Sequence, residues 1–190
     1  AACKQRGATL IPQQAVCELE TDGRKVTAVR TNSDRISAGE ICLTAGCWTG
    51  PLAAQLGLDL PTRPVRGQMV LLTSDRGAPL SHNVHYAGQY IVPRDDGHVL
   101  VGSTVEDAGY AVETTDAAVD QLRGLAGRCG LGDLPFVRAW AGLRPGSADG
   151  LPYVGRQPGW QNGWIAAGHV RAGLQFAPAT AVVMASLLLG

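Results

Sequence analysis

Residues Trp140–Gly155 read WAGLRPGSADGLPYVG, with glycine at 142, 146, 150 and 155 and proline at 145 and 152. Glycine and proline punctuate regular structure, so Arg144–Pro158 reads as a loop following a strand over Phe136–Leu143. The arginine in it has two readings. It is either solvated on a mobile surface loop, or held by a rigid one. A rigid loop would aim the guanidinium fork at a planar anion, and a carboxylate accepts two parallel hydrogen bonds from such a fork.

Working outward, Trp164–Ala167 reads as a short buried strand. Gly168–Pro178, GHVRAGLQFAP, follows as a basic turn, with a helix beginning near Pro178. A helix N-terminus points unsatisfied N–H groups and a positive dipole end outward, which suits a phosphate or a reduced, negatively charged ring. Gly168 and Gly173 would let backbone approach a flat ring closely. The alternative is a plain strand–turn–helix connection. Upstream, Gln89–Arg94 reads QYIVPR. Strand alternation puts Tyr90 and Val92 on one face and Ile91 on the other.

The remaining chain divides by character. Ala8–Ile11 and Ala15–Glu20 read as strands, and Asp22-Gly23 as a hairpin turn into Lys25–Thr31. Glu40–Ala45 reads as a strand buried on both faces, and Trp48–Leu56 as a short helix. Val65–Thr73, Asn83–Tyr86, Gln89–Pro93 and His98–Thr104 form an antiparallel meander. Thr114–Arg128 has helical spacing, with Thr114 or Thr115 as cap and Val119, Leu122, Leu125 and Ala126 as its apolar stripe. The expected fold is mixed α/β. Residues 1–62 and 141–190 have nucleotide-binding α/β character, and residues 63–140 form an inserted antiparallel sheet with one covering helix.

Composition narrows the function. The 190 residues are 45% apolar and 17% charged, with 16 basic and 16 acidic side chains. That balance suits a globular protein and argues against nucleic acid or an anionic membrane as partner. Ala177–Leu189 is too short for a bilayer, which needs about 20 apolar residues. The five cysteines, Cys3, Cys17, Cys42, Cys47 and Cys129, contain no C-x-x-C pair. They read as reduced, mostly buried thiols of a cytoplasmic protein, without structural zinc. His82 and His85 fall on opposite faces of a strand, so no metal site is expected. Asp95 and Asp96 are turn formers, and Trp160 and Trp164 are packing residues.

Taken in order, Tyr90–Arg94, Gly142–Gly155 and Gly168–Pro178 resemble the glycine oxidase branch of the FAD-dependent D-amino-acid oxidase family. Arg63–Gln68 (RPVRGQ), Gly102–Asp107 (GSTVED) and Thr44–Trp48 (TAGCW) fit the same pattern. The resemblance extends over nearly the whole chain. It implies part of a FAD-binding Rossmann-like domain with an inserted substrate-binding domain, and FAD as cofactor. It also implies roles. Arg144 would bind the substrate carboxylate, Tyr90 would donate its hydroxyl to the same group, and Arg171 would sit at both flavin and substrate. His169, Val170, Arg171, Ala172, Gly173, Leu174 and Gln175 would wrap the pyrimidine edge of the flavin. The backbone of Val16 would meet the adenine. The implied reaction takes hydride from the α-carbon of glycine or another small amino acid to the flavin. Water and oxygen then yield an oxo acid and hydrogen peroxide. A homo-oligomer and a supply of glycine imine for the thiazole ring of thiamine are further family expectations.

The chain departs from the family pattern at Ala172, often Asn there, and at Val170, often aromatic. Both departures bear on substrate identity more than on cofactor. No strand–GxGxxG–helix motif of a dinucleotide-binding half is present. With Ala1 and Gly190 reading as cut ends, the sequence is expected to be a C-terminal fragment, inactive alone. Rival readings are a related enzyme acting on sarcosine, larger D-amino acids or proline, a flavin-free carboxylate-binding module, and a structural remnant.

Overall fold

A computed structural model describes residues 2–190. In chain order its elements are α1 (Ala2–Gln5), β1 (Val16–Asp22), β2 (Lys25–Thr31), β3 (Arg35–Ser37), β4 (Ile41–Leu43), a 3-10 turn (Gly46–Trp48) and α2 (Thr49–Ala54). Then come β5 (Arg63–Thr73), β6 (Val84–Tyr86), β7 (Gln89–Pro93), β8 (His98–Gly102), α3 (Asp116–Arg128) and β9 (Phe136–Gly146). The chain closes with β10 (Tyr153–Arg156), β11 (Gly163–Ala167) and α4 (Gly173–Leu189). No described helix is long and apolar enough to cross a membrane.

These elements form two compact units. One gathers the chain up to Thr62 together with Ser147–Gly190, and the other is Arg63–Gly146. The later break falls after Gly146, six residues beyond the boundary expected at 140.

In the Arg63–Gly146 unit, five antiparallel strands take the order β6-β7-β8-β5-β9. Alternation in β5 and β8 sends Val70, Leu72, Val99 and Val101 to one face, where Ile91 joins them. There α3 lays down Leu122, Leu125 and Ala126, closing a core in which Val70, Ile91, Val99, Val101 and Leu122 are fully buried. Thr115 caps α3 by accepting the N–H of Ala118 on its hydroxyl.

The other unit holds two three-stranded sheets. In one, β1-β2-β3 is antiparallel throughout. In the other, β11 lies between β10, antiparallel, and β4, parallel. Its core joins Leu19, Val26, Ile41, Leu43, Ala53 and Leu56. Buried Asn162 stitches the two sheets. Its amide accepts the Val26 N–H at 2.9 Å and donates to the carbonyls of Val26 and Gly39 at 2.8 Å. Trp160 donates to the Leu56 carbonyl and Trp164 to the Glu40 carboxylate.

Several expectations need correction. Arg144–Pro158 is not all loop, because β9 continues to Gly146 and β10 begins at Tyr153. Pro145 is tolerated because β9 is an edge strand, and Pro64, opposite it, lies beyond the reach of β8. Helix α4 begins at Gly173, leaving Pro178 inside it. Ala8–Ile11 forms no strand and is exposed, preceding Pro12 and Gln13, whose φ is +62°. Strand β4 is not covered on both faces, since Cys42 is exposed between buried Ile41 and Leu43. His82 precedes β6 rather than lying in it. Of the cysteines, Cys3, Cys17 and Cys42 are exposed and Cys47 is buried. Burial pushes the Cys47 thiol above its ordinary value, partly offset by a backbone hydrogen bond.

Candidate active site

Residues paired across neighbouring strands project to the same face of a sheet. The register therefore defines a row across all five strands on the face opposite α3: His85, Tyr90, Gly102, Met69 and Trp140. Two residues further along β5, Gly67 pairs with Gly142, and two further still, Val65 pairs with Arg144. Tyr90 and Arg144 thus share one open face. Two glycines and a thioether floor the space between them.

Arg144 does not extend outward. Its guanidinium folds back over Gly67, where a Cβ would clash with Cζ, Nη1 and Nη2. It donates from Nη2 to Ser103 Oγ at 2.6 Å and from Nη1 to the Thr104 carbonyl at 3.2 Å. Both of these acceptors are neutral groups, and together they orient the guanidinium plane. The Tyr90 hydroxyl stands 3.8 Å from Met69 Sδ, and the Met69 side chain covers Gly102. The sequence alone assigned no role to Gly67, Met69, Ser103 and Thr104: strand register brings Gly67 and Met69 to this face, and side-chain hydrogen bonds bring Ser103 and Thr104 to Arg144.

Behind this face lies a polar cluster. Glu106 receives Arg66 Nε and Nη2 at 2.9 and 2.6 Å and Gln68 Nε2 at 2.9 Å. Gln68 Oε1 in turn accepts the Thr115 N–H. Partial burial pushes the Glu106 carboxyl up, but hydrogen bonds from Thr104, Arg66 and Gln68 and the Arg66 charge outweigh it. The group is held below its ordinary 4.5. A lowered folded value means stability that is complete above 4.5 and lost as pH falls through the folded value. Glu106→Gln is therefore expected to flatten the loss of stability as pH falls below the ordinary 4.5. Denaturant titrations at several pH values check this, and an unchanged acid slope would contradict it.

In the other unit, the turn after β11 places Gly168 at φ +79° and Val170 at φ +49°. The left-handed conformation is unusual for a β-branched residue, and such backbone concentrates at functional sites. Gly168 does not face open space, since a Cβ there would meet the Tyr153 ring at 3.0 Å and Ser147 Cβ at 3.2 Å. This close packing and the positive φ both favour glycine at 168. His169 bonds Thr180 Oγ1 through Nε2 at 2.9 Å and lines a hollow of about 340 Å³ with Cys42, Thr44 and Gly173. Arg171 is exposed, as are Leu174 and Gln175. The N–H groups of Gly173, Leu174 and Gln175 have no acceptor within α4, and Ala172 gives no side-chain cap. Val16, at the start of β1, lines an apolar hollow of about 560 Å³ with Trp48, Pro51 and Leu52. Among the described residues, no cluster of His, Cys, Asp or Glu could hold a metal ion.

The chain is 43% identical over 171 residues to a glycine oxidase of Pseudomonas aeruginosa, covering 89% of this chain and 47% of that one. It is 36% identical to the bifunctional protein ThiO/ThiG of Synechocystis, covering 87% of this chain and 25% of that one. The crystal structure of glycine oxidase from Geobacillus kaustophilus superposes with a TM-score of 0.89 at 28% identity, over 98% of this chain and 51% of that one. The chain spans about half the length of the glycine oxidases it matches. The family model described as FAD dependent oxidoreductase (DAO) matches residues 1–187. The chain belongs to the FAD dependent oxidoreductase family.

Proposed function

We propose that this chain supplies the amino-acid site and part of the FAD site of an enzyme oxidising glycine or another small amino acid. The products are the oxo acid, ammonia and hydrogen peroxide. The observation that carries it is the shared face of Tyr90 and Arg144, with the guanidinium folded over Gly67. Gly67 and Met69 lie two residues apart, about 7 Å along the strand. A carboxylate flanked by two hydrogen bonds of about 2.8 Å spans that separation. Arg144 then binds the carboxylate and Tyr90 donates its hydroxyl to the same group. Together they hold the α-carbon in one place, and such positioning accounts for much of the rate in a two-reactant step.

The fit to FAD rests on the chain's own groups. The apolar hollow beside Val16 suits an adenine ring. The open N–H groups of α4 and the turn His169–Gln175 suit the electron-rich pyrimidine edge of a flavin. Arg171 adds a positive charge to that turn. When bound, FAD supplies the hydride acceptor and passes electrons to oxygen. The ThiO/ThiG relative supports a role in thiamine biosynthesis. A cytoplasmic homo-oligomer completes the reading.

The test is peroxide release by the flavin-loaded protein across glycine, sarcosine, D-alanine and proline. Glycine as best substrate is expected; preference for sarcosine or proline would move the assignment within the family. Colourless protein that still binds a carboxylate would replace it with a binding module. Arg171→Ala should weaken flavin retention and turnover together, and normal flavin spectra with normal rates would remove Arg171 from the site.

A further inference from the structure

The segment that follows β8, Ser103–Glu106, touches Arg144 on one side and β5 on the other. Toward Arg144 it presents Ser103 Oγ and the Thr104 carbonyl. Toward β5, Thr104 Oγ1 accepts the Gln68 N–H at 2.8 Å, and the backbones of Arg66 and Glu106 exchange hydrogen bonds at 2.9 and 3.0 Å. The Glu106 carboxylate locks onto Arg66 and Gln68, and Gln68 onto Thr115, the cap of α3. Ser103 and Thr104 are 2% and 7% exposed, so water does not compete for these bonds.

We propose that Ser103–Glu106 is a positioning arm that presets the Arg144 guanidinium for a carboxylate, with Ser103 and Glu106 as positioning residues. The proposal rests on the reading of Arg144 as the carboxylate ligand. A long arginine side chain binds weakly when it must be ordered at each encounter, and strongly when its fork is already held. Two bonds from different terminal nitrogens fix both the tilt and the rotation of the guanidinium plane. Glu106 contributes at a distance: it fastens the arm to β5, the strand carrying Gly67 beneath the cation.

A double-mutant cycle on the flavin-loaded enzyme tests the arm, with acetate as probe, its dissociation constant read from flavin absorbance, and glycine turnover in parallel. Ser103→Ala is expected to weaken acetate about tenfold, the worth of one charge-assisted hydrogen bond. The KM for glycine should rise with it while kcat stays within about twofold. Glu106→Gln should weaken acetate in the same direction with flavin occupancy unchanged. In an Arg144→Ala background, Ser103→Ala should cost nothing further, because its effect passes through Arg144. Equal losses in both backgrounds, or no loss in the first, would overturn the arm while leaving Arg144 as ligand. If Arg144→Ala alone leaves acetate binding intact, the carboxylate reading itself fails and the arm with it. Should Ser103→Ala not fold, the same cycle run with Glu106→Gln decides the question.

Discussion

Arg144→Ala is expected to raise the apparent KM for glycine by more than about tenfold while flavin remains bound, since a charge-assisted hydrogen bond is worth about 1.5–3 kcal/mol. The variant removes the fork but leaves the sheet, because Arg144 lies on the open face and the core is built on the other. Flavin occupancy should hold, because the proposed flavin contacts, Val16 and His169–Gln175, belong to the other compact unit. The loss should fall more on KM than on kcat if the carboxylate bond is equally strong in ground and transition states. Steady-state peroxide assays against glycine concentration measure it. An unchanged KM would remove Arg144 from the substrate site. A loss of flavin without a change in KM would transfer it to the cofactor.

Much of this was legible in the sequence, for physical reasons that differ by residue. Alternation in QYIVPR put Tyr90 opposite Ile91, and Ile91 is fully buried while Tyr90 is half-buried. Period-2 patterning is local, so it can be read without a structure. The stripe Leu122, Leu125 and Ala126 was readable for the same reason, at helical period. Register is not local. That Met69 lies between Gly102 and Trp140, and Gly67 opposite Gly142, follows from pairings between strands tens of residues apart. Composition misled at Arg144–Gly146, where Pro145 and Gly146 look like a loop but complete an edge strand. It misled again at Pro178. Proline is commonest at a first helical turn, yet here α4 starts five residues earlier, in sequence already poor in β-branched residues. Cys42 looked buried within an apolar run. Its exposure depends on which elements cover β4, and a single strand's sequence does not carry that information.

Gly67→Ala is the sharper test, because it is expected to damage substrate binding about as much as losing the arginine while sparing the fold. Gly67 is buried, and its backbone does not need glycine for a positive φ. Its missing side chain serves a close approach instead: the atoms a Cβ would meet are Cζ, Nη1 and Nη2 of Arg144. These are the far end of a flexible side chain, so the protein can yield by swinging the guanidinium away rather than by distorting the sheet. The expected signature is a KM for glycine raised about tenfold, the worth of one misplaced charge-assisted bond, with a nearly unchanged melting temperature. Two neighbouring glycines calibrate the result. Gly142, paired with Gly67, has nothing within 4 Å of a new Cβ, so Gly142→Ala should keep the melting temperature of the parent. Gly146 would press a Cβ against the Arg63 carbonyl at 3.1 Å and Val65 Cγ2 at 3.0 Å, so Gly146→Ala should lower the melting temperature instead. A Gly67→Ala variant with parental KM would show that the guanidinium can bind its carboxylate from elsewhere. The folded-back position of Arg144 would then lose its functional meaning. If the variant melts like Gly146→Ala, close packing of the sheet, rather than seating of the cation, is what keeps position 67 a glycine.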